Sequence, residues 1–314
     1  MDSQWYFHCS RGEFGTLDRY DSAISGPLGH PKSLSDYECK AQFTSYEAMR
    51  AMLEAFGAMK FKTTAVIQWM YNASWPKMWW QLYDYYLNPT GAFYGAQEAC
   101  RPLHALYDYG SRGICLVSST LHEAKGLRLV VRELDWNLAV LYDSTFNLSS
   151  PANSSLKRVA VPHDTKFTKT YFIDLSLYRR AKRIDNNFYA LSTCPDVLDL
   201  KKSTWYVTPD TSYADLTQLQ KLPDVRLSTV TRFQRQGKKV LVTVKLRNPT
   251  DHLAFMINLS VRQRPSGKAV LPVYWDSNYM SLLPGGPTPD DLRHVRRERP
   301  RRQRSQSARD RVEH

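Results

Sequence analysis

The eight residues Thr63–Met70, TTAVIQWM, constrain the fold more than any other stretch of the sequence. They are rich in β-branched side chains and almost continuously apolar. That is the pattern of a strand covered on both faces, as in a parallel sheet. Parallel strands need crossover connections, usually helical, and helical signals stand on both flanks. Ser33 to Phe56 reads as a helix, with Ser35 and Glu38 spaced as a capping box and Gly57 as the stop. Its apolar stripe is expected at Ala41, Ala48, Met49, Met52 and Phe56. Lys77 to Leu87 (KMWWQLYDYYL) reads as a second helix ended by Asn88-Pro89-Thr90-Gly91, and Ala96 to Leu103 as a third. Helix, buried strand, polar loop, helix is the repeating unit of an α/β barrel.

After about Pro102 the period changes. Ile114–Ser118, Leu127–Glu133, Ala139–Asp143, Tyr171–Tyr178 and Asn187–Leu191 are short, alternating segments of β-branched and aromatic residues. Turn signals such as Tyr109-Gly110-Ser111 separate them, which predicts an antiparallel β-sandwich. A second set, Leu227–Gln234, Lys239–Leu246, Ala254–Val261 and a run near Val270–Trp275, predicts a second sandwich. Lys201 to Leu222 has no clear period and reads as the junction.

With 314 residues the chain is long enough for two or three domains. An apolar fraction of 42% and a charged fraction of 23% exclude a wholly disordered chain. The longest apolar runs are too short to span a bilayer, so no membrane is expected as a partner. The N-terminal MDSQWYFHCSRGEFG has no basic region followed by an apolar stretch, so no secretory signal is read there. Of the net charge of +13, +7 lies in Leu292–Arg309, with eight Arg against Glu298. That stretch has too little apolar area to fold alone and reads as a solvated tail. It lacks the interleaved aromatics that would favour nucleic acid. Five cysteines, an odd count without CxxC spacing, argue against a structural zinc site, a redox motif and a dense disulfide framework, and neither a metal nor any other cofactor is expected. Asn72, Asn147, Asn153 and Asn258 lie in glycosylation sequons.

The chemistry is concentrated in Val66 to Leu87. Barrel active sites sit on the loops after the strands. Here that loop presents Tyr71, Asn72, Ser74 and Trp75, with Trp69 at the strand end. Aromatic faces with a few hydrogen-bonding groups suit sugar rings. The candidate substrate-binding residues are therefore Trp69, Tyr71, Asn72 and Trp75, while Trp79 and Trp80 read as helix core.

The run IQWMYNASWPKMWWQLYDYYLNPTGAFYGAQEACRPLH resembles the last barrel strand and helix of family 2 glycoside hydrolases. It looks most like their exo-β-D-glucosaminidase branch, near the β-mannosidases. WYFHCSRGEFGTLDRY, ALSTCPDVLDL and VYWDSNYMSLLPGG match the same branch, so the resemblance runs colinearly over roughly residues 5–286. It implies an α/β then all-β fold. The C-terminal end of a TIM (β/α)8 barrel would occupy residues 1–103, with immunoglobulin-like sandwiches at 104–200 and 201–287. An Arg-rich disordered tail would follow at 288–314.

It further implies a retaining hydrolase of chitosan-type β-linked glucosamine, with two carboxylates about 5–5.5 Å apart. In the family both lie on earlier barrel strands, upstream of the segment matching Trp5. No catalytic residue is therefore expected in this chain, and the preceding part of such an enzyme is an expected partner besides the oligosaccharide. Glu13, Asp18, Asp21, Asp84 and Glu98 read as surface or capping residues. His8 and Cys9, adjacent in an extended segment, would point to opposite faces rather than pair. The family suggests a secreted or vacuolar setting. A β-mannosidase-type hydrolase and a non-catalytic carbohydrate-binding module are the alternatives. Ala73 stands where relatives carry a polar residue. Residues 1–103 are expected to fold poorly without the neighbouring barrel strands.

Overall fold

The computed structural model describes residues 3–9, 12–78, 81–161, 167–237, 239–285, 292–298 and 311–313. Four helices open the chain: α1 (Ser3–Phe7), α2 (Asp18–Leu28), α3 (Leu34–Ala58) and α4 (Gly91–Ala99). Ser33 starts α3 by accepting the Asp36 amide at 3.1 Å. The cap is thus Ser33 rather than Ser35, and the helix runs through Gly57 to Ala58. Its buried face also differs from the expected stripe. Phe43, Tyr46, Arg50 and Glu54 are buried, whereas Ala48 and Met52 are exposed. Hydrophobicity alone misplaces this face because half of it is polar and pairs with residues far along the chain.

Helix α4 begins earlier than expected, at Gly91, and packs on α3 backbone to backbone. A Cβ at Gly91 would collide with the Gln42 carbonyl, and one at Gly95 with the Tyr46 carbonyl. Both contacts are four residues apart on their own helix, so one glycine face meets one turn of α3. Gly95→Ala is expected to destabilise the fold by about 3 kcal/mol, the upper end of overpacking costs, because backbone cannot yield as a side chain does. An unchanged urea midpoint would refute this close approach.

Two expectations for the segment between these helices are corrected. Lys77–Leu87 is not a helix where it is described, and Trp79 and Trp80 lie outside the described residues. Asp84 accepts the amides of Tyr86 at 2.8 Å and Asn88 at 2.9 Å, and Leu87 takes φ 63°. An aspartate that caps its own loop competes with helix formation. Thr63–Met70 is not a strand either. Thr63 bridges only to Lys60, and residues 64–68 run as irregular chain. A strand forms only against a neighbour that takes its N–H and C=O groups, and among the described residues none pairs with residues 64–70. Among the described residues, the last barrel strand read from the sequence is therefore not formed.

The first sandwich follows. One antiparallel sheet pairs β1 (Leu103–Asp108), β2 (Gly113–Ser118) and β5 (Ser154–Ala160). The other orders β4 (Val140–Ser150), β3 (Ala124–Leu134), β6 (Thr170–Arg179) and β7 (Lys182–Ser192). Alternate residues of both sheets, such as Ile114, Leu116, Leu129, Val131, Ile173 and Leu175, form a buried apolar core. A short hairpin, β8 (Val197–Leu198) and β9 (Asp210–Ser212), leads onward.

The second sandwich contains β10 (Ser228–Gln236), β11 (Lys239–Arg247), β12 (Ala254–Ile257), β13 (Ser260–Arg262), β14 (Tyr274–Trp275), β15 (Met280–Leu282), β16 (Leu292–Glu298) and β17 (Arg311–Glu313). One sheet orders β10-β11-β16-β14, while β12 pairs β15 and β13 pairs β17. Its core centres on Val242, Val244, Leu246, Leu259, Val273 and Trp275. Part of the expected tail is therefore strand. β16 lies between β11 and β14, with Val295 opposite both Val242 and Trp275. A segment too polar to fold alone can still complete a sheet, since backbone pairing asks little of composition. The rest of the tail, apart from β17, lies outside the described residues.

A buried ionic cluster fastens α3 to the first sandwich. Arg50 donates to Asn187 Oδ1 and to the Phe188 carbonyl, both at 2.7 Å, and to Glu47 at 2.6 Å. Glu54 accepts from Asn187 at 2.6 Å and Tyr189 at 2.9 Å, and lies 2.9 Å from His104 Nε2. His104 Nδ1 meets Asp185 at 3.0 Å. Burial pushes the His104 imidazole down, but the Asp185 charge and hydrogen bonds to Asp185 and Glu54 prevail, leaving it raised to about 10. Helices α3 and α4 are thus integral to the sandwiches. Residues 1–103, expected to fold poorly alone, thus share a buried polar cluster with the first sandwich, while no strand among the described residues pairs with 64–70.

Candidate functional site

The four candidate residues lie on the ribbon joining α3 to α4. Trp69 is 76% exposed, Tyr71 59% and Trp75 39%, and Asn72 is exposed beside buried Ala73. Val66 and Ile67 add to the same open apolar stretch, Ile67 at 86%. The Trp69–Met70 peptide is cis.

Two anchors hold the ribbon's far end. The Tyr71 carbonyl accepts the amides of Leu82 at 3.0 Å and Tyr83 at 3.3 Å. The Tyr71 hydroxyl donates to that of Tyr83 at 3.3 Å, with ring centroids 5.0 Å apart. Tyr83 in turn packs on Phe93 of α4 at 5.0 Å. The ribbon is therefore positioned by the same helix that grips α3 through its glycines.

Trp75 is held by the N-terminal segment. His8 stacks on its indole at 5.7 Å, and Phe7 meets it edge-on at 5.8 Å. His8 Nδ1 hydrogen-bonds the Pro76 carbonyl at 2.6 Å, and the Met78 amide donates to the His8 carbonyl at 2.9 Å. His8 and Phe7 were not among the candidates. They lie some 68 residues from their partners, beyond the reach of local spacing. The only trace was the match of WYFHC to the family. Cys9 is buried, and its thiol donates to the Trp5 carbonyl at 3.5 Å, away from His8.

The structure brings Trp75 together with His8 and Phe7, and Tyr71 with Tyr83. It does not close Trp69, Asn72 and Trp75 into one pocket. The carboxylates are otherwise engaged. Asp21 accepts the Tyr37 hydroxyl at 2.7 Å, Asp84 caps its loop, and Glu98 is buried 2.8 Å from Arg101. Asp18 sits in the first turn of α2, where a negative charge suits the helix dipole. No group of His, Cys, Asp or Glu among the described residues could hold a metal ion.

The fold of this chain recurs in known proteins. The exo-chitosanase CsxA of Amycolatopsis orientalis superposes on 95% of this chain with a TM-score of 0.88 at 30% identity, the match spanning 36% of that chain. An exo-β-D-glucosaminidase of Arthroderma benhamiae is 36% identical over 284 residues, 88% of this chain and 32% of its own length. This chain is a relative of the exo-β-D-glucosaminidases. The Streptomyces avermitilis exo-β-D-glucosaminidase is likewise 36% identical over 303 residues, 91% of this chain and 33% of its own. The exo-β-D-glucosaminidase Ig-fold domain family matches residues 205–297, which takes in nearly all of β16. A mannosylglycoprotein endo-β-mannosidase of Lilium longiflorum matches at 23% identity over 83% of this chain. The chain spans about a third of the length of these glucosaminidases.

Proposed function

We propose that the chain is the C-terminal part of a retaining exo-β-D-glucosaminidase acting on chitosan-type β-linked glucosamine. In this reading it holds neither catalytic carboxylate. It contributes the last barrel strand, the aromatic loop after it and two sandwiches that brace them. The observation that carries the reading is the open ribbon, Val66 to Trp75, within a chain 36% identical to glucosaminidases. Five large side chains exposed along one stretch of chain are unfavourable by up to roughly 1.5–3 kcal/mol each relative to burial. Neighbouring barrel strands would cover Val66 and Ile67 and supply the backbone pairing that residues 64–70 lack.

Trp69, Tyr71, Asn72 and Trp75 are assigned to the substrate side of that strand end. Aromatic faces would meet the C–H faces of the sugar, and the Asn72 amide would meet a hydroxyl. His8 and Phe7 set the Trp75 indole. No cofactor enters the reaction.

The 314-residue chain alone is expected to give no turnover of PNP-β-D-glucosamine. Release of nitrophenol that disappears on substituting a carboxylate of this chain would overturn the division of labour.

A further inference from the structure

The net positive charge of this protein lies in two segments, and the fold sets the start of the second beside the first. Residues 228–247 hold Arg232, Arg235, Lys238, Lys239, Lys245 and Arg247 and no acidic residue, a net of +6. Leu292–Arg309 holds +7, so the remainder of the chain is neutral overall against the total of +13. β10 and β11 form the first segment, and β16, at the start of the second, pairs with β11 along seven residues from Leu292 to Glu298.

β10 ends its sheet. Among the described residues it pairs with β11 on one side and with no strand on the other. Its register with β11 is unbroken across all nine residues, and it contains neither proline nor bulge. Edge strands are ordinarily blunted by such features or by charge. Here only charge is used. Val230 and Phe233 remain 54% and 47% exposed on this edge, with Arg232 between them. Val230, Arg232, Gln234 and, from β11, Thr243 and Lys245 line a shallow groove of about 430 Å³.

We propose that this edge docks an extended acidic peptide segment of a partner protein, which adds to β10 as a further strand. The edge supplies a row of backbone donors and acceptors, Val230 and Phe233, on opposite faces of β10, each supply an apolar contact for a side chain on that face, and the cations select the sign of the partner. A second copy of this chain is excluded by the same charges, since +6 would face +6. A chitosan-type polymer is excluded as well, because its amines are cationic. A nucleic acid or sulfated glycan would satisfy the charge but leave the backbone row and the apolar contacts unused. Strand addition is the arrangement that uses all three.

Fluorescence anisotropy of the 314-residue chain decides the matter with two labelled peptides of equal charge, one alternating Glu and Val, the other alternating Glu and Pro. The first is expected to bind, and the second about tenfold or more weaker, because proline cannot pair with a strand edge. Arg232→Glu with Arg235→Glu is expected to weaken the Glu–Val peptide about tenfold or more with an unchanged melting temperature. Lys245→Glu serves if the double variant fails to fold, with a smaller loss in the same direction. Equal binding of both peptides, binding of neither, or tighter binding of polyuridylate than of the Glu–Val peptide would each overturn the proposal.

Discussion

Arg50→Ala is expected to lower the unfolding free energy by about 3–5 kcal/mol, the cost of breaking a buried ion pair by removing one partner. The Arg50 guanidinium is fully buried, donates to Asn187, Phe188 and Glu47, and lies 4.0 Å over the Tyr189 ring. Removing it leaves buried Glu54 with one fewer positive charge beside it, and takes the Arg50 hydrogen bonds from the Asn187 and Phe188 oxygens. The loss falls on a polar bridge between α3 and β7 to which Glu54 also contributes through Asn187 and Tyr189, so the helical layer and the sandwich should loosen together. Urea unfolding followed by tryptophan fluorescence measures it, and a loss under about 1 kcal/mol would contradict the role given to this cluster.

The same cluster sets a pH dependence. His104 is held protonated, with its folded value raised to about 10 from 6.5. A raised value means that the folded state binds the proton more tightly. The stabilisation is therefore complete below the unfolded value and disappears as pH climbs through about 10. Between pH 7 and 10 the unfolding midpoint should fall. In His104→Gln, which replaces the cation with a neutral amide, that slope should flatten while the stability at pH 7 drops.

Much of this architecture was legible in the sequence, and the failures share one cause. Five of the seven strands of the first sandwich were found because alternation is a local signal, as in Leu127, Leu129 and Val131, while Leu103–Asp108 and Ser154–Ala160 were missed. Elements that depend on a distant partner were misread. Glu54 and Arg50 lie on the buried face of α3 because of Asn187 and His104, which no helical period reveals. Thr63–Met70 carries a strand's composition but lacks a strand's neighbour. Leu292–Glu298 carries a tail's composition but finds two strands to join. At the candidate site, the aromatic loop was visible as Tyr71, Asn72 and Trp75. His8, the residue that stacks on Trp75, was hidden by sequence distance.

The largest functional effect is expected when the open ribbon is given neighbours. Grafted in place of the matching third of the Amycolatopsis orientalis exo-chitosanase, this chain should complete an active enzyme, because its backbone follows that of CsxA at a TM-score of 0.88. In the graft, Trp69→Ala and Trp75→Ala should each lower kcat/KM by about a hundredfold through misplaced substrate, with cooperative unfolding retained. His8→Ala should act through Trp75, so adding it to Trp75→Ala should cost little more.

The most direct measurement is the rate of PNP-β-D-glucosamine hydrolysis by the isolated chain and by this graft, side by side. The account predicts no turnover from the chain alone and turnover within about tenfold of the parent from the graft. A graft that folds cooperatively yet stays inactive, or an isolated chain that hydrolyses the substrate, would contradict it.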